Sequence, residues 1–165
     1  MAVNRGKDFE NVIRECFKKV PNTNVERMAD PVQGYLGIRN HCDFIVYHKP
    51  HEYHIECKSV HGNTFPFSNM SKNQWDGLLE VSEIKGIIAG VIVWWADKDV
   101  TRFIPIQVLT DEKKSGSKSI RYDADLGIGY VNEYNEMCKV VELTGKKKRV
   151  FFDYDMEQFF KEVTE

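Results

Sequence analysis

The spacing of apolar residues changes several times along the chain, and each change marks an element. Between residues 7 and 19, Phe9, Val12, Ile13, Cys16 and Phe17 recur at helical spacing, with Asn11, Arg14 and Lys18 outside the stripe. This predicts an amphipathic helix that ends at Pro21-Asn22. Asn24 to Met28 reads as a short strand, followed by a glycine-containing loop that leads into Asp43. Residues 43–47 and 53–58 read as the strands of a hairpin joined at Lys49-Pro50. On the second strand Tyr53, Ile55 and Cys57 face one way and His54, Glu56 and Lys58 the other.

A polar connector, H-G-N-T-F-P-F-S-N-M, leads to Ser71, whose spacing to Gln74 fits a capping box. Trp75, Leu78, Leu79, Val81 and Ile84 give that helix its apolar side, and Gly86 ends it. Ile87 to Trp95 is apolar throughout, as expected of a central strand covered on both faces. Val100 to Ile106 reads as the next strand, and residues 111–130 as a basic surface excursion. Lys139 to Leu143 and Arg149 to Asp153 read as a hairpin turning at Thr144-Gly145-Lys146, before a closing helix from Met156 to Val163. The expected class is α/β, a mixed β-sheet core flanked by helices, in one domain spanning residues 1–165.

Composition narrows the function classes. The 165 residues carry a formal net charge of −2, which argues against nonspecific coating of nucleic acid but leaves room for a locally positive cleft. No apolar run reaches transmembrane length and the N-terminus has no signal-like region, so a cytoplasmic location is expected. Cys16, Cys42, Cys57 and Cys138 are scattered without C-x-x-C pairing and are expected as reduced core thiols.

The chemistry is concentrated on the 43–58 hairpin, whose strands carry charge where a buried strand would be apolar. Burying a carboxylate and an ammonium two residues apart is costly unless something uses them. Phosphodiester hydrolysis supplies a use: a divalent cation neutralises developing charge and acidifies the attacking water, and hard cations such as Mg²⁺ take oxygen ligands. Asp43 and Glu56 are the candidate carboxylates, with the backbone carbonyl of Cys57 between Glu56 and Lys58 as a further ligand. Lys58 is the candidate catalytic residue, orienting water and stabilising the transition state. The spacing of Asp43, twelve residues, then Glu-x-Lys is by itself also compatible with a surface salt bridge on an edge strand.

Asp43 with Glu56-Cys57-Lys58 resembles the PD-(D/E)xK motif of restriction-endonuclease-like nucleases. More closely, the chain is similar to the RecU-type Holliday junction resolvases, phage relatives included. The likeness runs from Asn4-Arg5-Gly6-Lys7 and Phe9-Glu10, through Asp43-Phe44 and Glu56-x-Lys58, to Thr64-Phe65-Pro66-Phe67, Asn69 and Gln74. It ends near Lys118-Ser119-Ile120-Arg121. The resemblance implies Mg²⁺ or Mn²⁺ at Asp43 and Glu56, a catalytic Lys58, Glu10 approaching from the first helix and Gln74 supporting from the second. It also implies a homodimer, since two symmetric nicks in a four-way junction need two sites. Arg5 and Lys7 in the matched segment join the candidate DNA-binding residues. One departure stands out: the stretch Pro31 to His41 is too short for the family's projecting stalk, although Pro31-Val32-Gln33 echoes its entry. A nuclease for flaps or other branched or duplex DNA, and a non-catalytic DNA-binding recombination factor, therefore stay open beside junction resolution.

Further DNA-binding candidates are Thr64 and Phe65, where Phe65 and Phe67 either stack on unpaired bases or cap the core. The basic run Lys113, Lys114, Lys118 and Arg121 is either a phosphate-contacting surface or a solvated loop. The turn lysines 146–148 with Arg149 are weighed in the same way. His48, His51, His54 and Cys57 recur every three residues, but on an extended hairpin they alternate faces and straddle a turn, which makes convergence on one zinc ion difficult. His54, on the face of Glu56 and Lys58, is either a partly buried structural histidine or a minor contributor near the metal or a phosphate. Of Trp94 and Trp95, one is expected in the core and the other at a dimer contact.

Overall fold

The computed structural model describes residues 5–29 and 40–165. Asn4 and residues 31–39 of the abbreviated stretch before Asp43 lie outside them. The elements in chain order are α1 (Arg5–Lys18), β1 (Thr23–Arg27), β2 (Phe44–His48), β3 (His51–Val60), β4 (Thr64–Pro66), α2 (Lys72–Ser82), β5 (Ile87–Trp95) and β6 (Val100–Pro105). They continue with α3 (Ile106–Lys114), β7 (Ser119–Arg121), β8 (Gly129–Val131), β9 (Met137–Lys139), β10 (Val141–Glu142), β11 (Gly145–Lys147), β12 (Phe152–Tyr154) and α4 (Met156–Glu162).

A six-stranded mixed sheet runs β1-β2-β3-β5-β6-β10, antiparallel except for the β3–β5 pair. The parallel pair is possible because α2 lies between β3 and β5 in sequence and supplies the crossover. Two cores sandwich the sheet. Phe9, Ile13 and Phe17 of α1 and Phe159 of α4 pack on Phe44, Tyr53, Ile55 and Trp94. On the opposite face Trp75 and Leu78 of α2 and Leu109 of α3 pack on Ala89, Val91, Val93 and Trp95. The apolar run of β5 is thus split by strand alternation between two cores. Gly90 is required in that run, since a Cβ there would overlap the Phe103 ring and the Ile104 carbonyl of β6.

Four expectations change. Both tryptophans are buried, Trp94 in one core and Trp95 in the other, so neither is available for a dimer contact. The excursion from 111 begins inside α3, where Ile106, Leu109 and Thr110 form a buried i, i+3, i+4 stripe. Lys139–Leu143 does not pair with 149–153; β9 pairs with β8, β10 closes the large sheet on β6, and β11 pairs with β12. The C-terminal hairpin therefore spans 145–154 and turns after Lys147. Phe65 is 0% exposed and pairs with Ile120 across β4–β7, so it cannot stack on a base. Phe67 is buried against Trp75. All four cysteines are free and buried. Among the described residues no helix is long and apolar enough to cross a membrane.

Candidate active site

β2 begins only at Phe44, whereas β3 runs on past Ile55, the partner of Phe44 in the pairing. That difference in length opens a notch at the end of the β2–β3 pairing, inside the sheet. Asp43, immediately before β2, keeps one backbone bond to β3, from its N–H to the Ile55 carbonyl. Its side chain then takes the place of the missing strand: Asp43 Oδ2 accepts the Cys57 N–H at 2.8 Å. The N–H and C=O of one residue project to the same edge of a strand, so the Cys57 carbonyl faces the Asp43 side as well.

Glu56 projects from β3 toward α2 and is 3% exposed. Its Oε1 accepts from Gln74 Nε2 at 2.7 Å and lies 2.8 Å from Lys58 Nζ. Gln74 has two jobs. As the third residue of α2 its Oε1 accepts the Ser71 N–H, while Ser71 Oγ accepts the Gln74 N–H. The capping box that starts α2 thereby aims the remaining amide at Glu56. Glu10 reaches the same notch from α1, 13% exposed and paired with Arg27 of β1 at 3.3 Å. Gly6, Lys7, Glu10, Arg27, Asp43, Glu56, Cys57, Lys58, Ser59 and Gln74 line a cleft of about 400 Å³.

Burial sets the electrostatics. Asp43 is pushed up to about 7, first by desolvation and then by repulsion from Glu56 and Glu10, against the Cys57 N–H and Lys58, which favour the carboxylate. Glu56 is raised by desolvation as well, with Lys58 partly offsetting it. Two acids held this close in a half-dry notch are short of positive charge. A cation fits that deficit, and the donors facing it, carboxylate and carbonyl oxygens, suit a hard divalent ion.

The proposed DNA contacts fall into three groups. Arg5 and Lys7 are exposed at the start of α1, and Lys7 borders the cleft. Thr64 is exposed beside the buried Phe65. Lys113, Lys114, Lys118 and Arg121 are exposed on and after α3, with Lys113 over the Trp75 ring at 4.5 Å and Arg121 paired with Asp123 at 2.9 Å. Lys113 and Lys118 line a groove of about 820 Å³ with Ser71, Lys72 and Trp75. Ser71 and Lys72 also line a pocket holding Asp43, Glu56 and Gln74, so the groove opens toward the carboxylates.

Two features escape the sequence reading. Arg27 is one: nothing in the T-N-V-E-R stretch marks it, and only the pairing of Arg27 with Phe44 brings it to Glu10. The other is a histidine arrangement. His48 stacks on Phe160 and contacts Thr23, and Cys57 lies in the α1-side core. His54 instead meets His41 and Cys42.

The model of the RecU family, described as Recombination protein U, matches residues 4–128. No match is found among curated proteins. Among solved structures the chain is similar to Hjc of Archaeoglobus fulgidus, a Holliday junction resolvase from an archaeal hyperthermophile. The identity is 19%, covering 64% of this chain and 75% of that chain, with a TM-score of 0.47. The family match takes in α1, the Asp43 turn, Glu56 and Lys58 on β3, and α2, and it stops before β8. The match over residues 4–128 places the chain in the RecU family, the family of Holliday junction resolvases, which are endonucleases.

Proposed function

We propose that the chain resolves four-way DNA junctions with Asp43, Glu56 and the Cys57 carbonyl as ligands of Mg²⁺ or Mn²⁺ and Lys58 as the catalytic residue. The observation that carries this reading is a half-buried Asp43, held by the Cys57 N–H and repelled by the buried Glu56, with Lys58 in contact with Glu56. A divalent cation held there would neutralise that repulsion, lower the pKa of an attacking water and take up charge from the scissile phosphate. Asp43 is oriented by the Cys57 N–H, and Glu56 by the Gln74 amide. Lys58, once released from Glu56, directs its N–H donors at the water and at the charge that develops on the phosphate. Glu10, held by Arg27, supports the site from α1.

The groove past Lys72 toward Lys113 and Lys118 gives one DNA arm a route away from the cleft. Arg5 and Lys7 serve a strand entering from the α1 side, while Lys114, Arg121 and Thr64 add outer contacts. Phe65 is left out of this surface because it is buried. Residues 1–165 act as one nuclease domain, since the same sheet receives α1 from the beginning of the chain and β10 from near its end. The active form is a homodimer, because two-fold symmetric nicking requires two sites.

The test is cleavage of a four-way junction, a flap and a linear duplex of matched sequence, with and without Mg²⁺. Wild type is expected to cut the junction, whereas Glu56→Gln and Lys58→Ala should lose cleavage by at least about a hundredfold and still bind junction in Ca²⁺ or EDTA. Undiminished nicking by either variant overturns the site, and preference for the flap or duplex overturns the substrate.

A further inference from the structure

Immediately before Asp43, and two residues before Glu56, the chain carries a second set of ligating side chains. Cys42 is 3% and His54 5% exposed, and His41 is half-buried. One ligating atom from each of the three lies within 4.8 Å of the others. His41 Nε2 and His54 Nδ1 face each other at 2.7 Å. The other nitrogen of His54 sits 2.7 Å from Glu52 Oε1. When Nε2–H donates to Glu52, the Nδ1 lone pair is left pointing at His41 and Cys42. A carboxylate behind a histidine is the support that metal-bound imidazoles usually have.

Two imidazoles and a thiol differ in kind from the oxygen donors at Asp43 and Glu56. Nitrogen and sulfur select zinc and its neighbours, whereas carboxylate and carbonyl oxygens select magnesium or manganese. Tetrahedral zinc, with bonds of about 2.0 Å to nitrogen and 2.3 Å to sulfur, sets its ligands about 3.3 to 3.6 Å apart. The histidine nitrogens need to separate by only a fraction of an ångström to admit the ion. The third element in the arrangement is α2: a Cβ on Gly77 would overlap that of His41, so the helix carries glycine where the imidazole seats.

We propose that His41, Cys42 and His54 bind a zinc ion, with Glu52 behind His54 and solvent in the fourth position. The site adjoins the nuclease carboxylates, with Cys42 lining the same pocket as Asp43 and Glu56, but shares no ligand with them. It ties the chain segment that enters β2 to β3 and seats it against α2, and so positions Asp43 one residue further on. Residues here act on the reaction only by holding the backbone of Asp43.

The full chain, stripped with EDTA and free of DNA, is titrated with Co²⁺ and then Zn²⁺. A thiolate-to-cobalt charge-transfer band with tetrahedral d–d absorption is expected, saturating at one ion per chain, lost on zinc addition and indifferent to excess Mg²⁺. Cys42→Ser should abolish the charge-transfer band. His41→Asn and Glu52→Gln, which keep the thiol, should weaken zinc binding by about 10- to 100-fold. Glu56→Gln should leave the cobalt spectrum unaltered, separating this site from the nuclease metal, and circular dichroism monitors folding of each variant. No thiolate band in wild type, a band that survives Cys42→Ser, or a band lost in Glu56→Gln overturns the proposal.

Discussion

Asp43 carries the largest consequence at the scale of single residues. Its carboxyl titrates near 7 in the folded chain against an ordinary value of 3.8. The folded protein therefore holds a proton that the unfolded chain has released across that window. Stability is greatest from this group below about pH 4 and falls as pH rises toward 7. Glu56 is displaced in the same direction. In urea unfolding of the metal-free protein between pH 4 and 8, the wild type should lose stability with rising pH more steeply than Asp43→Asn. At pH 8 added Mg²⁺ should restore stability to wild type if it occupies the proposed site of the folded state, and do little for the variant. Parallel pH curves for the two proteins would remove Asp43 from the account.

Gln74 separates two roles within one side chain. Gln74→Ala loses both the capping acceptor and the donor to Glu56, and should cost about 1 kcal/mol of stability together with cleavage rate. Gln74→Glu keeps an acceptor for the Ser71 N–H but sets a further carboxylate against Glu56. Denaturant midpoints should recover toward wild type in this variant while the cleavage rate does not.

Elements decide which of the conspicuous side chains are free to act. The connector with Phe65 and Phe67 is polar enough to look exposed, yet β4 pairs with β7 more than fifty residues later, and that pairing closes both rings into the α2-side core. A local pattern cannot report so distant a partner. Phe65→Ala should cost about 3–5 kcal/mol with no selective loss of junction affinity in the folded fraction, whereas Thr64→Ala should change stability little. Binding titrations below the melting transition distinguish these outcomes. β3 was legible for the opposite reason: alternation along one strand is a local property, and Tyr53, Ile55 and Cys57 do lie in one core while Glu56 faces α2. The capping box at Ser71 and Gln74 was equally local. The C-terminal strands were not, because pieces of two or three residues carry too little period to set their own register.

For the whole molecule, charge distribution matters more than total charge. A chain of net −2 still gathers Lys72, Lys113 and Lys118 along one groove that opens on the cleft. Replacing Lys113 and Lys118 with Ala should lower the slope of log affinity against log salt by about one for each phosphate no longer neutralised, without changing the single-turnover rate at saturating protein. An unaltered salt slope would place the DNA elsewhere. Sedimentation of the free protein and its junction complex tests the homodimer at this same scale.

Features that depend on neighbours in the chain are legible along it: the α1 stripe, the alternating β3 with Glu56 and Lys58, the helix start at Ser71, the doubly covered β5, and the motif order that marks the family. Features that depend on partners far apart in sequence emerge only from packing. It brought Arg27 to Glu10 across β1 and β2, buried Phe65 beneath β7, and sent Trp94 and Trp95 into opposite cores. It also turned His41, Cys42 and His54 into neighbours of one another. The physical reason is the same in each case: side-chain period is set by the backbone of a single element, whereas register, burial and charge pairing are set by the packing of one element on another.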